Sequence, residues 1–254
     1  MSSILEWKKV SQMGESGVLL KALLYADSGV GKTATASKAP KPVFLLTEPN
    51  GLPTIRAFNP NAVVIQADEG NGGMDTVRAF LRAAKDGTLK RETGAETVVL
   101  DSMNELQRML RDEIMRRKKK PVNGEEQFTL ADWGVLTDKM RGMVRAFRDL
   151  PFHVIGITHA DVQVQEGGPR HILPMFMGRS LPNEIAGYFS LVGYMYRKQE
   201  QDEKGGVVTS RHVLLQGPPT VVCKGLPGLE AVEEPNPTVW LEKLNKFNSK
   251  KRGA

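Results

Sequence analysis

The sequence predicts an α/β fold built on a central, mostly parallel twisted sheet flanked by helices, and three observations predict it. Apolar runs of strand length recur as far as residue 158, with helical patterns between most of them. The first of these runs leads directly into Ala26-Asp27-Ser28-Gly29-Val30-Gly31-Lys32-Thr33, a glycine-bearing turn that ends in Lys-Thr ahead of a helical stretch. A later run, Thr97-Val98-Val99-Leu100, ends on a carboxylate, Asp101.

In chain order, strands are expected at 18–25, 43–47, 62–66, 97–100 and 153–158, and a short helix starts at 33–39. Three longer helices are expected from one-face spacing. Met74, Val77, Phe80 and Leu81 form the first stripe, Leu106, Met109, Leu110 and Ile114 the second, and Trp133, Leu136, Met140, Val144 and Phe147 the third. Past residue 158 the pattern changes to a loop centred on Gly167-Gly168-Pro169. Strands at 191–196, 207–215 and 220–223 then read as an antiparallel C-terminal extension of the sheet. A short helix at 238–244 closes the chain, and residues 248–252 are expected to fray.

Composition narrows the classes. With 254 residues, 40% hydrophobic and 25% charged, the chain reads as one globular domain, its core at about 14–230 and a short helix and basic tail at about 236–254. No apolar stretch has signal-peptide or membrane-span length, so a cytoplasmic protein is expected. The single cysteine, Cys223, cannot form an internal disulfide, and histidines at 153, 159, 171 and 212 lack zinc-ligand spacing, so no structural metal is expected. The net charge of +6 leans towards a polyanionic partner.

Chemistry enters with the turn after the first strand. Glycines at 29 and 31 let successive backbone N–H groups point inward around a β-phosphate at a helix N-terminus, where the dipole also favours negative charge. Asp27, Ser28, Gly29, Val30, Gly31, Lys32, Thr33 and Ala34 therefore form the expected phosphate-binding loop, with ATP as its ligand. Ala26 stands where the usual pattern has glycine, and a small residue suffices there. Lys32 reaches the β- and γ-phosphates, and the Thr33 hydroxyl meets Mg²⁺, an octahedral ion that keeps few protein ligands and shares the phosphates. Asp101 lies where a Walker B aspartate supports that ion through water. Two further strands between the loop and Asp101 favour ATPases of the RecA and AAA kind over nucleotide kinases.

Two more strand ends carry polar groups. Glu48 follows the 43–47 run, where a carboxylate can orient the attacking water, because phosphoryl transfer depends on alignment and charge stabilisation. The bland reading makes it a solvated residue ahead of the Asn50-Gly51 turn. His159 ends Val154-Ile155-Gly156-Ile157-Thr158 and can donate to a γ-phosphate oxygen, or be a satisfied loop or core histidine.

In chain order, Ala26 to Thr33, Phe44-Leu45-Leu46-Thr47-Glu48, Val98-Val99-Leu100-Asp101-Ser102, Ile155-Gly156-Ile157-Thr158-His159 and Val221-Val222-Cys223-Lys224 resemble the RecA-like (ASCE) P-loop NTPase core over residues 14–230. The resemblance is closest to phage-encoded nucleotide-binding proteins of the RecA type that act in single-strand annealing and recombination, which would place the protein in the cytoplasm of an infected host. It implies that Glu48 is the catalytic carboxylate. It also implies that His159, where relatives usually have glutamine, couples the γ-phosphate to a DNA-binding loop. Lys224 resembles a lysine inserted into the neighbouring subunit's nucleotide site, although it also reads as an exposed strand-end lysine. Helicase relatives add an arginine two residues later; Leu226 stands there, leaving Arg211 on the preceding strand as a substitute.

DNA contacts are expected in two places. Arg116-Arg117-Lys118-Lys119-Lys120 ends a helix, matches the first DNA-binding loop of RecA-like proteins, and also suits a helix C-terminus on dipole grounds alone. The segment 161–180 carries Arg170, His171 and Arg179 around Phe176, a mixture that tracks a backbone and stacks bases, unless the segment is an ordinary β-hairpin. Its Gly167-Gly168-Pro169 centre is expected to stay mobile until DNA or a neighbour orders it.

The leading expectation is a Mg²⁺-dependent, DNA-stimulated ATPase that binds single-stranded DNA as a head-to-tail homo-oligomer, ring or filament, and promotes strand annealing and homologous recombination. A single-strand DNA-binding protein is a further expected partner, and a membrane is not. The alternatives are an ATP-gated interaction module for a phage replication or packaging partner, with little hydrolysis, and a P-loop kinase using 166–180 as a lid.

Overall fold

The computed structural model describes residues 19–118, 127–164, 168–201 and 206–252. Its strands are β1 (Lys21–Ala26), β2 (Pro42–Leu46), β3 (Val63–Gln66), β4 (Thr97–Asp101), β5 (His153–Val164), β6 (Arg170–Pro174), β7 (Leu191–Gln201), β8 (Val207–Leu214) and β9 (Val232–Glu233). Its helices are α1 (Lys32–Ala36), α2 (Leu52–Phe58), α3 (Gly73–Lys85), α4 (Thr88–Thr93), α5 (Met103–Arg116), α6 (Leu130–Arg148), α7 (Leu181–Tyr188) and α8 (Pro237–Arg252).

The strands form a sheet in the order β3-β2-β4-β5-β1-β7-β8-β9, with β6 paired to the far end of β5. From β3 through β7 the pairing is parallel, and β8, β9 and β6 pair antiparallel. This is the expected mostly parallel α/β sheet with an antiparallel C-terminal extension, the RecA-like P-loop core. Central strands are apolar throughout because both faces are covered, and β1, β2 and β4 are buried almost end to end. Leu23 and Tyr25 face one layer with the stripes of α3, α5 and, apart from exposed Trp133, α6, while Leu20, Ala22 and Leu24 face the other with α1, Ile55 of α2 and Trp240, Leu241 and Leu244 of α8. Local signals set the helix starts. The Ser102 hydroxyl accepts from the Glu105 N–H at the head of α5, and Thr129 and Asp132 form a capping box on α6.

The C-terminal ends of the central strands fall in line. Ala26 is opposite His159, Leu46 opposite Asp101, and Asp101 opposite Ile157. β5 stands between the loop-bearing β1 and the Asp101-bearing β4. Ligands of open α/β sheets sit in the crevice that such strand ends create.

Several expectations are corrected. The segment 161–180 is not one loop, because β5 continues to Val164 and pairs with β6 from Ala160↔Pro174 to Val164↔Arg170, making a hairpin. Gly167 at its centre, Lys119 and Lys120 of the basic run, and residues 14–18 of the expected core lie outside the described residues. Residues 220–223 do not form a strand. Proline at 218 and 219 precedes them, and the single bridge Ile172↔Val221 is their only ladder contact among the described residues, with a second single bridge, Val192↔Lys224, just past them. The terminal helix runs to Arg252 rather than fraying at 248. Among the described residues no helix is long and apolar enough to cross a membrane.

Candidate nucleotide-binding site

The loop between β1 and α1 needs two left-handed residues, and the glycines supply them, Gly29 with φ 74° and Gly31 with φ 109°. Behind it the Lys32 ammonium donates to the Ala26 and Asp27 carbonyls, each at 2.9 Å, which holds it at the mouth of the loop. Burial pulls the Lys32 pKa down, opposed by the charges of Asp101, Asp27 and Glu48. The Thr33 hydroxyl donates to Asp101 Oδ2 at 2.7 Å, so the two side chains assigned to the metal ion already meet.

A clamp that the sequence did not announce sets the position of Glu48. The Thr47 hydroxyl, buried, donates to the Ser102 carbonyl at 2.8 Å and accepts from the Ser102 N–H at 2.9 Å. The Thr47 N–H also donates to the Asp101 carbonyl at 2.9 Å. The end of β2 is thereby fixed to the end of β4, and Glu48, the next residue, projects into the same cavity as Asp101. That cavity, about 480 Å³, is lined by the loop, Glu48, Asp101, His159 and Arg211 among others. Gly51 closes over it, since a Cβ there would lie 3.3 Å from Asp101 Oδ2 and 3.2 Å from Leu46 Cδ2.

Asn104 makes a second unannounced clamp. Its Oδ1 accepts from the Thr158 hydroxyl and from the His159 N–H, both at 2.8 Å, and its Nδ2 donates to the Met175 carbonyl at 2.8 Å. One turn on, buried Gln107 exchanges two 2.8 Å hydrogen bonds with the Met177 backbone. The histidine and the segment leading out of β6 are thus both anchored to α5. Burial, then the Lys32 charge, lowers the His159 pKa, so its imidazole is neutral at neutral pH and offers one donor and one acceptor.

Asp101 carries the clearest electrostatic signature. Burial raises its carboxyl to about 6, the Thr33 hydrogen bond lowers it, the Glu48 charge raises it, and the Lys32 charge lowers it. A buried carboxylate beside a hydroxyl is a donor set short of positive charge, which fits Mg²⁺. Among the described residues no three His, Cys, Asp or Glu side chains group to hold a metal ion by themselves, so Thr33 and Asp101 suit an ion shared with phosphate oxygens.

The remaining predicted residues are not gathered there. Lys224 is exposed, outside the cavity, with its ammonium donating to the Phe189 carbonyl at 3.0 Å. Arg211, expected as a substitute reaching a neighbour, lies instead in its own chain's cavity beside Gly31. Phe176 is 7% exposed and packed in the core, which corrects its assignment as a base-stacking residue. Lys118 is taken up internally, paired with Asp132 and donating to the Gln127 carbonyl at 2.8 Å, and Arg117 pairs with Glu113 at 2.9 Å. Arg116, Arg170 and Arg179 are exposed and His171 is half-buried.

A protein-family model described as an AAA domain matches residues 19–225. None of the curated proteins compared matches the chain. Among solved structures, a prototypical ATPase from the type III secretion system of pathogenic bacteria is similar at 15% identity with a TM-score of 0.43. The alignment covers 70% of this chain and 52% of that one, so the chain spans about half the length of that ATPase. The family match takes in every residue lining the cavity, from Ser28 to Arg211, and with it the whole apparatus around Thr33 and Asp101: the chain belongs to the AAA domain family and is a P-loop ATPase domain.

Proposed function

We propose that this domain is a Mg²⁺-dependent ATPase whose turnover is stimulated by single-stranded DNA and which works on that DNA, in strand annealing and recombination, as a head-to-tail assembly. The observation that carries the hydrolytic half is the 2.7 Å contact of Thr33 with Asp101 in a cavity that also holds Lys32, Glu48 and His159. Lys32 binds the β- and γ-phosphates, Thr33 and Asp101 hold the ion, and Glu48 orients water for in-line attack. Held by Thr33 and Asp101, Mg²⁺ would supply positive charge to offset the negative charge developing on the phosphates. Neutral His159 donates one ring N–H to the γ-phosphate.

Continuity supports the DNA half. β5 runs without a break from the cavity residue His159 to Val164, and its partner β6 begins at exposed Arg170. A shift of His159 on phosphate release would therefore be passed along one strand to the hairpin that carries Arg170 and His171. Arg179 is a further exposed cation past the end of β6, and phosphate contacts by such residues give salt-sensitive binding with little sequence preference. Lys224 stands outside its own cavity, where a cation serving a neighbouring subunit has to be.

The test is steady-state ATP hydrolysis with and without single-stranded DNA at two salt concentrations, in wild type, Lys32→Ala, Glu48→Gln and a combined Arg170→Ala, Arg179→Ala variant. DNA stimulation is expected in wild type. Glu48→Gln is expected to bind ATP and lose about 10²- to 10⁴-fold in turnover, and the double arginine variant to lose stimulation but keep basal turnover. Hydrolysis indifferent to DNA and to Glu48→Gln would sink this reading and favour a partner-gated nucleotide switch.

A further inference from the structure

Arg211 lines the cavity although neither the loop motif nor the Walker B strand calls for it, and the nucleotide reading above gives it no role. It lies on β8, where no phosphate-loop function is expected, yet a Cβ on Gly31 would sit 3.2 Å from both its Cδ and its Nε. The side chain is therefore laid across the loop of its own subunit. Although exposed, it has no hydrogen bond or ion pair among the described residues. Directly opposite it across the antiparallel ladder is Arg197, also exposed and without an acidic partner among the described residues. Like charges facing each other across a strand pair are destabilising, and an anion bound against them removes that cost.

Arg211 also divides two spaces. On one side is the cavity where Lys32, Thr33, Asp101, Glu48 and His159 converge. On the other is a cleft of about 210 Å³ along the outer face of α1, shared by Gly31, Ala34, Arg211 and Phe58 and closed by Pro235. Phe58 borders both spaces and is 57% exposed, an aromatic face presented to solvent at a ligand site. A triphosphate whose γ-end lies among the five converging groups runs out past Gly31 and Ala34, which brings its α-phosphate and nucleoside to Arg211 and Phe58.

Building on the nucleotide reading above, we infer that Arg211 acts in cis as a clamp on the part of the nucleotide that hydrolysis leaves unchanged. Its guanidinium holds the α-phosphate, and the base lies against Phe58 in the adjoining cleft. Such contacts are the same for ATP and ADP, so they constitute uniform binding, which changes KM and leaves kcat alone.

The experiment is calorimetric titration of wild type, Arg211→Ala, Arg211→Lys and Phe58→Ala with ATP, ADP and inorganic tripolyphosphate, together with kcat and KM. Arg211→Ala is expected to weaken ATP and ADP by the same factor, about 10-fold, with kcat within about twofold of wild type. Arg211→Lys recovers only part of that, because an ammonium lacks the planar fork. Phe58→Ala is expected to weaken ATP and ADP about 10-fold and to leave tripolyphosphate unchanged. The inference is overturned if Arg211→Ala lowers kcat while sparing ADP affinity, which would put the arginine at the γ-phosphate, or if ATP and ADP affinities ignore both residues. A wild type that binds no nucleotide overturns the broader nucleotide reading, whereas a wild type that binds and hydrolyses ATP beside an unaltered Arg211→Ala overturns this clamp alone.

Discussion

Replacing Asp101 with asparagine is expected to make the ligand-free protein more stable. Burial raises the Asp101 carboxyl from 3.8 to about 6, so at pH 8 the folded chain carries an ionised group that it would rather hold protonated. A shift of that size corresponds to about 3 kcal/mol. For an acid whose pKa is raised by folding, the associated stability is complete below the unfolded value of 3.8 and is lost as pH rises through about 6. Asparagine keeps an oxygen to accept the 2.7 Å hydrogen bond from Thr33 and removes the charge. Lys32 loses a favourable neighbour in the exchange, so about 3 kcal/mol is an upper bound. The assay is urea unfolding without nucleotide or Mg²⁺, at a series of pH values from 4 to 8. Asp101→Asn is expected to gain at pH 8 and to converge with wild type towards pH 4, while its affinity for Mg²⁺-ATP falls. A variant no more stable than wild type at pH 8, or a gain independent of pH, would refute the reasoning.

Three further outcomes follow from packing and burial. Gly193→Ala is expected to lose about 1–3 kcal/mol in urea unfolding, because the added Cβ would lie 2.5 Å from Val213 Cγ1 and 3.1 Å from Leu24 Cδ2; a neutral result would show that β7 has room to shift. Trp240→Ala is expected to lose about 3–5 kcal/mol, since the ring is fully buried against the layer holding α1 and its Nε1 donates to the Glu234 carbonyl at 2.8 Å. Lys21, whose ammonium donates to the Leu150 and Phe152 carbonyls, is pushed down to about 8 by burial against the opposing pull of Asp149. A lysine depressed in the folded state regains stability as pH rises from its folded towards its unfolded value. Wild type is therefore expected to gain stability between pH 8 and 10 relative to Lys21→Met, and parallel curves would contradict this.

What was legible in the sequence depended on how local its cause is. The phosphate loop could be read because its requirements, two residues with positive φ followed by Lys-Thr, lie within a few positions. The helices announced themselves through stripes that are buried, such as Met74, Val77, Phe80 and Leu81 of α3, except that Trp133, expected on the α6 stripe, is exposed at the start of that helix. The clamps could not be read in this way, because Thr47 meets Ser102 and Asn104 meets His159 across 55 residues, and Gln107 meets Met177 across 70. Gln107 did leave a trace, a polar residue between Leu106 and Leu110 on an otherwise apolar face. Residues 220–223 look like a strand because valines occupy 221 and 222, but the chain there crosses from β6 to β7 and bridges each only once. Arg211 entered its own cavity through the register of β8 on β7, which no local pattern encodes.

The position of β1 bears on how the protein is made. It is the first described strand to leave the ribosome, yet its two sheet neighbours are β5, beginning at His153, and β7, beginning at Leu191. At ordinary rates of synthesis, roughly 170 residues after Ala26 take on the order of 10 to 30 s to emerge. Until roughly 130 of those residues are out and β5 with them, the apolar run Leu20-Lys21-Ala22-Leu23-Leu24-Tyr25 has no partner on either edge, and its β7 edge stays open to the end of the interval. The loop that names the ligand class is translated early but gains its scaffold late, which makes its strand the part of the nascent chain most in need of shelter.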